Sequence, residues 1–205
     1  MGEAEHWDQI YASRSCRQVG WYAPHLETSI KWIAELDLAT EDPIIDVGGG
    51  ASTLVDDLLV AGHKNLTVLE LSENAIAVSR ERLGAKSDSV TWLQEDVTQS
   101  ELLSRHFKLW HDRAVFHFLV DPQRQQRYKD ALLKALKVDG YFIIGAFDLD
   151  APAQCSGLPV QRYSAETLGN RFANEFRLKR HHHEIHQTPS GVEQSYVYCL
   201  FQKIA

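Results

Sequence analysis

The sequence predicts a single α/β domain whose seven-stranded, mostly parallel, doubly wound sheet ends in an antiparallel hairpin. Three observations carry this. Short apolar runs of strand length alternate with segments of helical spacing from residue 44 to residue 147, which is the rhythm of parallel strands joined by crossover helices. A glycine turn, Gly48-Gly49-Gly50, links the first run to a helix. The last two strand-like segments then follow each other with only a turn between them.

The elements follow in order. After Pro24, the spacing of Leu26, Ile30, Ile33 and Ala34 predicts a helix with one apolar face. Pro43 precedes the buried strand Ile44 to Val47, the glycine turn follows, and a helix begins near Ser52. Leu66 to Leu71 reads as a strand, Glu73 to Leu83 as a helix, and Val90 to Leu93 as a strand ending before Glu95-Asp96. A strand is expected from Phe107 to Trp110, a helix from Pro122 to Leu136, and a strand from Tyr141 to Phe147. Residues 148–159, with Pro152, Gly157 and Pro159, read as a loop, and a short helix starts at Ser164 with Glu166 in its first turn. Phe176 to His186 and Val192 to Phe201 form the closing hairpin around Thr188-Pro189-Ser190-Gly191. The whole chain, 1–205, is expected to be one domain: an N-terminal lid segment and helix (1–40), a cofactor-binding core (41–147) and a substrate-side hairpin region (148–205).

Composition narrows the function. The net charge is −7 and no block of five Lys and Arg residues occurs, so a phosphate-tracking nucleic-acid surface is not expected. No apolar run approaches the ~20 residues that span a bilayer, and the acidic, aromatic start MGEAEHWDQIYASR lacks the order of a secretory signal. The expected compartment is the cytoplasm. Cys16, Cys155 and Cys199 are an odd number without a CxxC pair, which points to free thiols rather than zinc or redox chemistry.

The glycine turn after a buried strand lets backbone approach a ligand without a Cβ in the way, although a tight turn alone has purely structural uses. Glu70 ends the second strand, about 20 residues after the glycines, where a carboxylate accepts both hydroxyls of an adenosine ribose. NAD-binding folds share that feature. In G-x-G-x-x-G counted from Gly48, however, the last position is Thr53, so the helix-packing glycine of the dinucleotide fingerprint is absent. Asp46 before the turn and Asp96 after the third strand supply carboxylates suited to the cationic amino-acid end and the adenine amino group of S-adenosylmethionine (SAM).

The segments IIDVGGGAST (44–53), LTVLELS (66–72), LQEDVTQ (93–99), LWHDRAVFHFL (109–119) and LKALKVDGYFIIGAF (133–147) resemble, in order, those of the class I SAM-dependent methyltransferases. That resemblance implies a Rossmann-like fold with SAM as cofactor and S-adenosylhomocysteine (SAH) as product. It places Asp46 and Gly48 beside the methionine part, Glu70 on the ribose, Asp96 on adenine, and Leu71 and Val97 on either side of the adenine ring, with Gly50 also counted among the cofactor-binding residues. Asp112-Arg113-Ala114-Val115-Phe116 and the segment after Tyr128 look like the branch of elongation-factor and citrate-synthase lysine methyltransferases, whose fourth-strand motif is Asp-Lys-Gly. Here Arg113-Ala114 replaces Lys-Gly and His117 stands where an acidic residue is usual. Similarity to small-molecule methyltransferases is at least as good.

Methyl transfer from a sulfonium needs an acceptor held in line and water excluded, and a lysine acceptor, with a free pKa of about 10.4, must also lose a proton. His111, Asp112 and His117 are the candidate bases; the plainer reading pairs Asp112 with Arg113 and packs His117. The aromatic stretch His6-Trp7 to Tyr11 with Val19-Gly20-Trp21-Tyr22 is read either as a lid bringing Tyr11 and Trp21 onto the cofactor or as packing. His182, Glu184 and His186 would share one strand face, but no metal site is expected there. That stretch reads as polar surface or as the rim of a substrate pocket, with Glu184 and His186 as candidate substrate contacts. The expected acceptor is a small molecule with a nucleophilic N, O or S; a protein lysine and a non-catalytic SAM-binding module are the alternatives.

Overall fold

The computed structural model describes residues 2–204. In chain order the elements are α1 (Glu3–Ser13), α2 (Glu27–Glu35), β1 (Ile44–Val47), α3 (Leu54–Val60), β2 (Leu66–Glu70), α4 (Glu73–Leu83), β3 (Val90–Gln94) and β4 (Phe107–Arg113). There follow α5 (Pro122–Ala135), β5 (Leu136–Phe147), the two-residue strands β6 (Gln154–Cys155) and β7 (Leu158–Pro159), α6 (Ala165–Phe172), β8 (Phe176–Gln187) and β9 (Glu193–Lys203). The main sheet has the order β3-β2-β1-β4-β5-β9-β8. The first five are parallel, and β9 enters antiparallel between β5 and β8.

Side-chain alternation divides the core between the two faces of the sheet. Ile45, Trp110, Phe142 and Ile144 pack with Tyr128 and Leu132 of α5 and Phe172 of α6. Ile44, Leu109 and Ile143 pack on the other face with Trp32 and Ile33 of α2 and Leu54, Val55 and Leu58 of α3. Helix starts are set by side-chain oxygens. Ser72 accepts from Ala75 N–H at α4, Asp121 from Gln123 N–H at α5 with Pro122 in the first turn, and Ser164 from Thr167 N–H at α6, each satisfying an otherwise orphaned donor.

The structure extends the sequence reading in four places. β4 runs on through His111, Asp112 and Arg113, because buried partners on neighbouring elements engage those polar side chains, all but Nη2 of Arg113. β5 begins at Leu136, immediately after α5, rather than at Tyr141. The expected loop after Phe147 contains the small β6–β7 ribbon. The aromatic N-terminus forms α1, a helix with no fully buried residue.

Candidate active site

The parallel register lines up the C-terminal ends of the strands: Val47 pairs with Leu69 and Asp112, and Glu70 with Gln94. Ligands of open α/β sheets bind along this edge. Here a cavity of about 110 Å³ opens, and Gly48, Glu70, Leu71, Asp96, Val97, Tyr11 and Trp21 all border it. A smaller adjoining cavity is bordered by Asp46, Gly49 and His111 and shares Tyr11, Trp21, Gly48 and Arg113 with the first.

Gly48 has φ +69°, and a Cβ there would lie 2.0 Å from Val115 Cγ2. Gly48→Ala is therefore expected to lower stability by about 1–3 kcal/mol and to weaken cofactor binding. A thermal melt with a SAH titration checks this, and an unchanged turn would show in both. Gly50 borders neither cavity. Its N–H donates to Glu70 Oε2 (3.1 Å), and a Cβ on it would meet Glu70 Cγ at 2.5 Å, so it acts on Glu70. The other oxygen of Glu70 accepts from Ser72 N–H (2.9 Å). Burial pushes the Glu70 carboxyl up despite these bonds.

Asp96 accepts from Thr98 N–H and Oγ1–H (both 2.8 Å), Gln99 Nε2 and Arg124 Nη2. Burial opposes its ionisation, yet these donors hold the carboxyl below its ordinary range. Asp46 gives one oxygen to His111 Nδ1–H (2.7 Å), while Oδ2 is buried without a protein partner. An acceptor left open beside the glycine turn suits an ammonium, and Leu71, Val97 and Leu119 supply apolar walls. The residues present fit an adenosyl amino acid.

Comparisons with known proteins agree. Residues 44–140 match a family model described as "Methyltransferase domain". The human EEF1A lysine methyltransferase 2 is 23% identical over 192 residues, covering 87% of this chain and 75% of that protein. The mouse eEF1A lysine and N-terminal methyltransferase is 22% identical over 149 residues; these span 70% of this chain and only 21% of that protein. Among solved structures, the Burkholderia thailandensis 1,6-didemethyltoxoflavin-N1-methyltransferase, with bound 1,6-didemethyltoxoflavin and SAH, superposes with a TM-score of 0.71. It is 18% identical and the match covers 98% of this chain and 84% of that one. This is a class I, SAM-dependent methyltransferase.

The residues expected to be catalytic are all buried. In this methyltransferase Asp112 is fully enclosed: it accepts from Val115 N–H (3.0 Å), Phe116 N–H and Tyr128 Oη–H (2.6 Å), and borders neither cavity. Neither the expected base nor the Arg113 ion pair is what the geometry supports; Asp112 fastens the turn after β4 to α5. His117 is also fully buried, with Nδ1 accepting from Phe147 N–H (3.1 Å). Burial, then the Arg113 charge, pulls it down to about 3, so it is neutral and packed. His111 alone of the three touches a cavity, as the partner of Asp46 and, through Nε2, of Ser29 Oγ (2.8 Å).

The late histidine stretch secures the N-terminal segment. His186 Nε2 donates to Gly20 O (2.8 Å), Thr28 Oγ1–H donates to Glu184 (2.6 Å), and His183 pairs with Asp148. Neither Glu184 nor His186 borders a cavity. Among the described residues no group of three His, Cys, Asp or Glu side chains converges as a metal site, and no helix is long and apolar enough to cross a membrane.

The sequence reading assigned several of the lining residues no role in the site, having Trp7 only within the aromatic stretch, Arg113 only as a partner for Asp112 and Cys155 only as a free thiol. Trp7, Phe118, Cys155, Tyr196 and Arg113 also border the cavity; Trp7 packs on Trp21 and Phe118, and Arg113 reaches Trp21 O and lies over Tyr196. Beside Asp96, Arg124 bridges it to Glu3 of α1. Farther along α1, Asp8 accepts from Ser72 Oγ–H (2.6 Å) and Asn74 N–H (3.3 Å). Trp7 meets Trp21 and Phe118 edge-on, and Trp21 Nε1 donates to Tyr11 Oη (3.0 Å).

Proposed function

We propose that this methyltransferase acts on a nucleophilic N, O or S atom of a small molecule bound beneath α1 in the cytoplasm. The observation that carries the reading is the acceptor end of the cavity, walled by Trp7, Trp21, Phe118 and Tyr196 and roofed by a helix. Such a site suits a compact, flat or apolar acceptor. When bound, SAM supplies a methyl group already activated on a sulfonium.

The chain's own part is to bind and orient. Glu70 is assigned to the ribose, Asp96 and Val97 to adenine with Leu71 against its ring, and Asp46 with Gly48 to the amino-acid end. Besides Arg113, the titratable groups of the cavity wall near the acceptor are Cys155 and Tyr196, with Tyr11 between them and Glu70. Burial pushes both phenols and the thiol up, so none is an ionised base at neutral pH. The acceptor therefore arrives in its nucleophilic form, and positioning with exclusion of water does the rest.

A protein lysine is the second reading, favoured by the similarity to the human EEF1A lysine methyltransferase 2. Incubation with SAM against a small-molecule panel and, separately, against eEF1A tests both, with SAH release and a methylated product as readout. Transfer to eEF1A alone would replace the first reading by the second. Binding of SAM with no turnover on either would make the chain a SAM-binding module.

The lid reading of α1 gives its own prediction. Because α1 buries no residue fully, deleting residues 1–13 is expected to change the melting temperature little. It removes Glu3, Trp7 and Tyr11 from the cavity wall, so SAH affinity should fall by about tenfold or more. A collapse of the melting temperature would instead make α1 part of the core.

A further inference from the structure

Arg113 carries a charge that nothing in the described structure neutralises. Its Nε donates to Tyr198 Oη (2.9 Å), its Nη1 to Trp21 O (2.8 Å), and its guanidinium lies over the Tyr196 ring at 4.6 Å. Nη2 is buried with no hydrogen-bond partner. Arginines 82, 124 and 180 each reach a carboxylate, whereas no described carboxylate lies within 4.0 Å of Arg113. Its nearest partners are neutral: burial pushes the phenols of Tyr196 and Tyr198 up, and Glu184, the acidic side chain in its vicinity, is engaged by Thr28.

A guanidinium stays protonated in any protein setting, and holding one out of water without a counter-ion is costly. Arg113 nevertheless borders both cavities, so a ligand can reach it. An orphaned donor on a fork-shaped cation matches a carboxylate.

Two carboxylates could meet it, the cofactor's and the acceptor's, and the direction of the guanidinium favours the second. Glu70 and Asp96, assigned above to the cofactor, end β2 and follow β3, away from Arg113; Asp46 and Gly48, assigned to its amino-acid end, lie nearer, on β1 and just after it, and share the smaller cavity with Arg113. The guanidinium instead reaches across β5 to Tyr198 of β9. That reach depends on Gly145 of β5, where a Cβ would lie 2.9 Å from the Tyr198 ring. Arg113 is thus fixed on the β4-β5-β9 half of the edge, beside Tyr196 and Cys155. We propose that Arg113 anchors a ligand carboxylate and that the acceptor of this methyltransferase is a small carboxylic acid with an apolar or aromatic body. The assignment rests on the small-molecule reading, and it sets the site against an ammonium, which the same fixed cation repels.

The test uses the full chain saturated with SAH. Benzoate and phenylacetate are titrated calorimetrically against benzamide and phenylacetamide, with wild type, Arg113→Gln and Arg113→Lys. The acids are expected to bind at least about tenfold more tightly than the amides, the worth of one charge-assisted hydrogen bond. Arg113→Gln should erase the difference and Arg113→Lys retain part of it. SAH and 5′-methylthioadenosine, which lacks the amino-acid end, identify the source. SAH affinity should be unchanged within about threefold in Arg113→Gln. A selective loss of SAH with 5′-methylthioadenosine unaffected would assign the carboxylate to the cofactor and overturn the acceptor assignment. Equal binding of acids and amides to the wild type, or binding of neither, overturns the proposal without any variant. Failure of SAH itself to bind would instead refute the cofactor reading beneath it.

Discussion

Glu70→Ala is expected to reduce SAH affinity by about two orders of magnitude, more than any other single change on the cofactor side. Two ribose hydroxyls on one carboxylate are two charge-assisted hydrogen bonds, each worth about 1.5–3 kcal/mol. The same substitution releases Gly50 N–H and Ser72 N–H, which loosens the glycine turn and the start of α4 together. Glu70→Gln keeps the shape and one acceptor and should recover part of the loss. Calorimetric titration decides the matter, and an affinity within about twofold of wild type would remove Glu70 from the cofactor site.

Asp112→Ala is expected to act on the fold rather than on the reaction. It strips an enclosed acceptor from Val115 N–H, Phe116 N–H and the Tyr128 hydroxyl, and breaking a buried charged network of this kind costs about 3–5 kcal/mol. For a chain of this size the melting temperature should drop by roughly 6–15 °C, while the folded fraction still binds SAH. An intact melt with transfer abolished would return Asp112 to the chemistry. The pH dependence carries a sign. Burial pushes the Asp112 carboxyl from 3.8 up to about 6, against the Tyr128, Val115 and Phe116 bonds and the nearby His111. The folded protein therefore holds a proton that the unfolded chain has released, and the contribution of Asp112 to stability falls as pH rises through that window and levels above it. Wild type should lose ground to Asp112→Asn between those pH values in urea denaturation, and a flat difference would place the titration elsewhere.

Residues 44–94 were the most legible part of the chain. Ile44 to Val47 and Leu66 to Glu70 are short, mostly apolar runs, one leading into a glycine turn and the other ending in a carboxylate, and Ser72 and Gly84 mark the ends of α4. Those features are local, so spacing reveals them. α1 was not legible as a helix, because it buries no residue fully and so carries no pronounced apolar face for periodicity to detect. The fourth-strand motif misled for a different reason. Whether His111, Asp112 and His117 face a ligand or the interior depends on Asp46, Ser29, Tyr128 and Phe147, which lie far off in sequence. Tyr196 was missed likewise, and Arg113 was read only as a partner for Asp112, since the two meet only when β9 lies beside β5. The one signal available was the repeated tyrosine, Tyr196 and Tyr198, on one face of a strand.

The position of β9 between β5 and β8 also bears on how the chain is made. β8 leaves the ribosome first, yet it has no neighbour in the sheet until β9 follows and bridges it to β5. Until then β5 keeps an open edge, a template for wrong pairing that proteins ordinarily cover, and the pairing that closes it joins segments distant in sequence, a slow kind of step. The turn and carboxylates of β1 to β3 are synthesised well before Tyr196 and Tyr198. A nascent chain therefore completes the half proposed to hold the cofactor before it has the wall proposed to select a substrate.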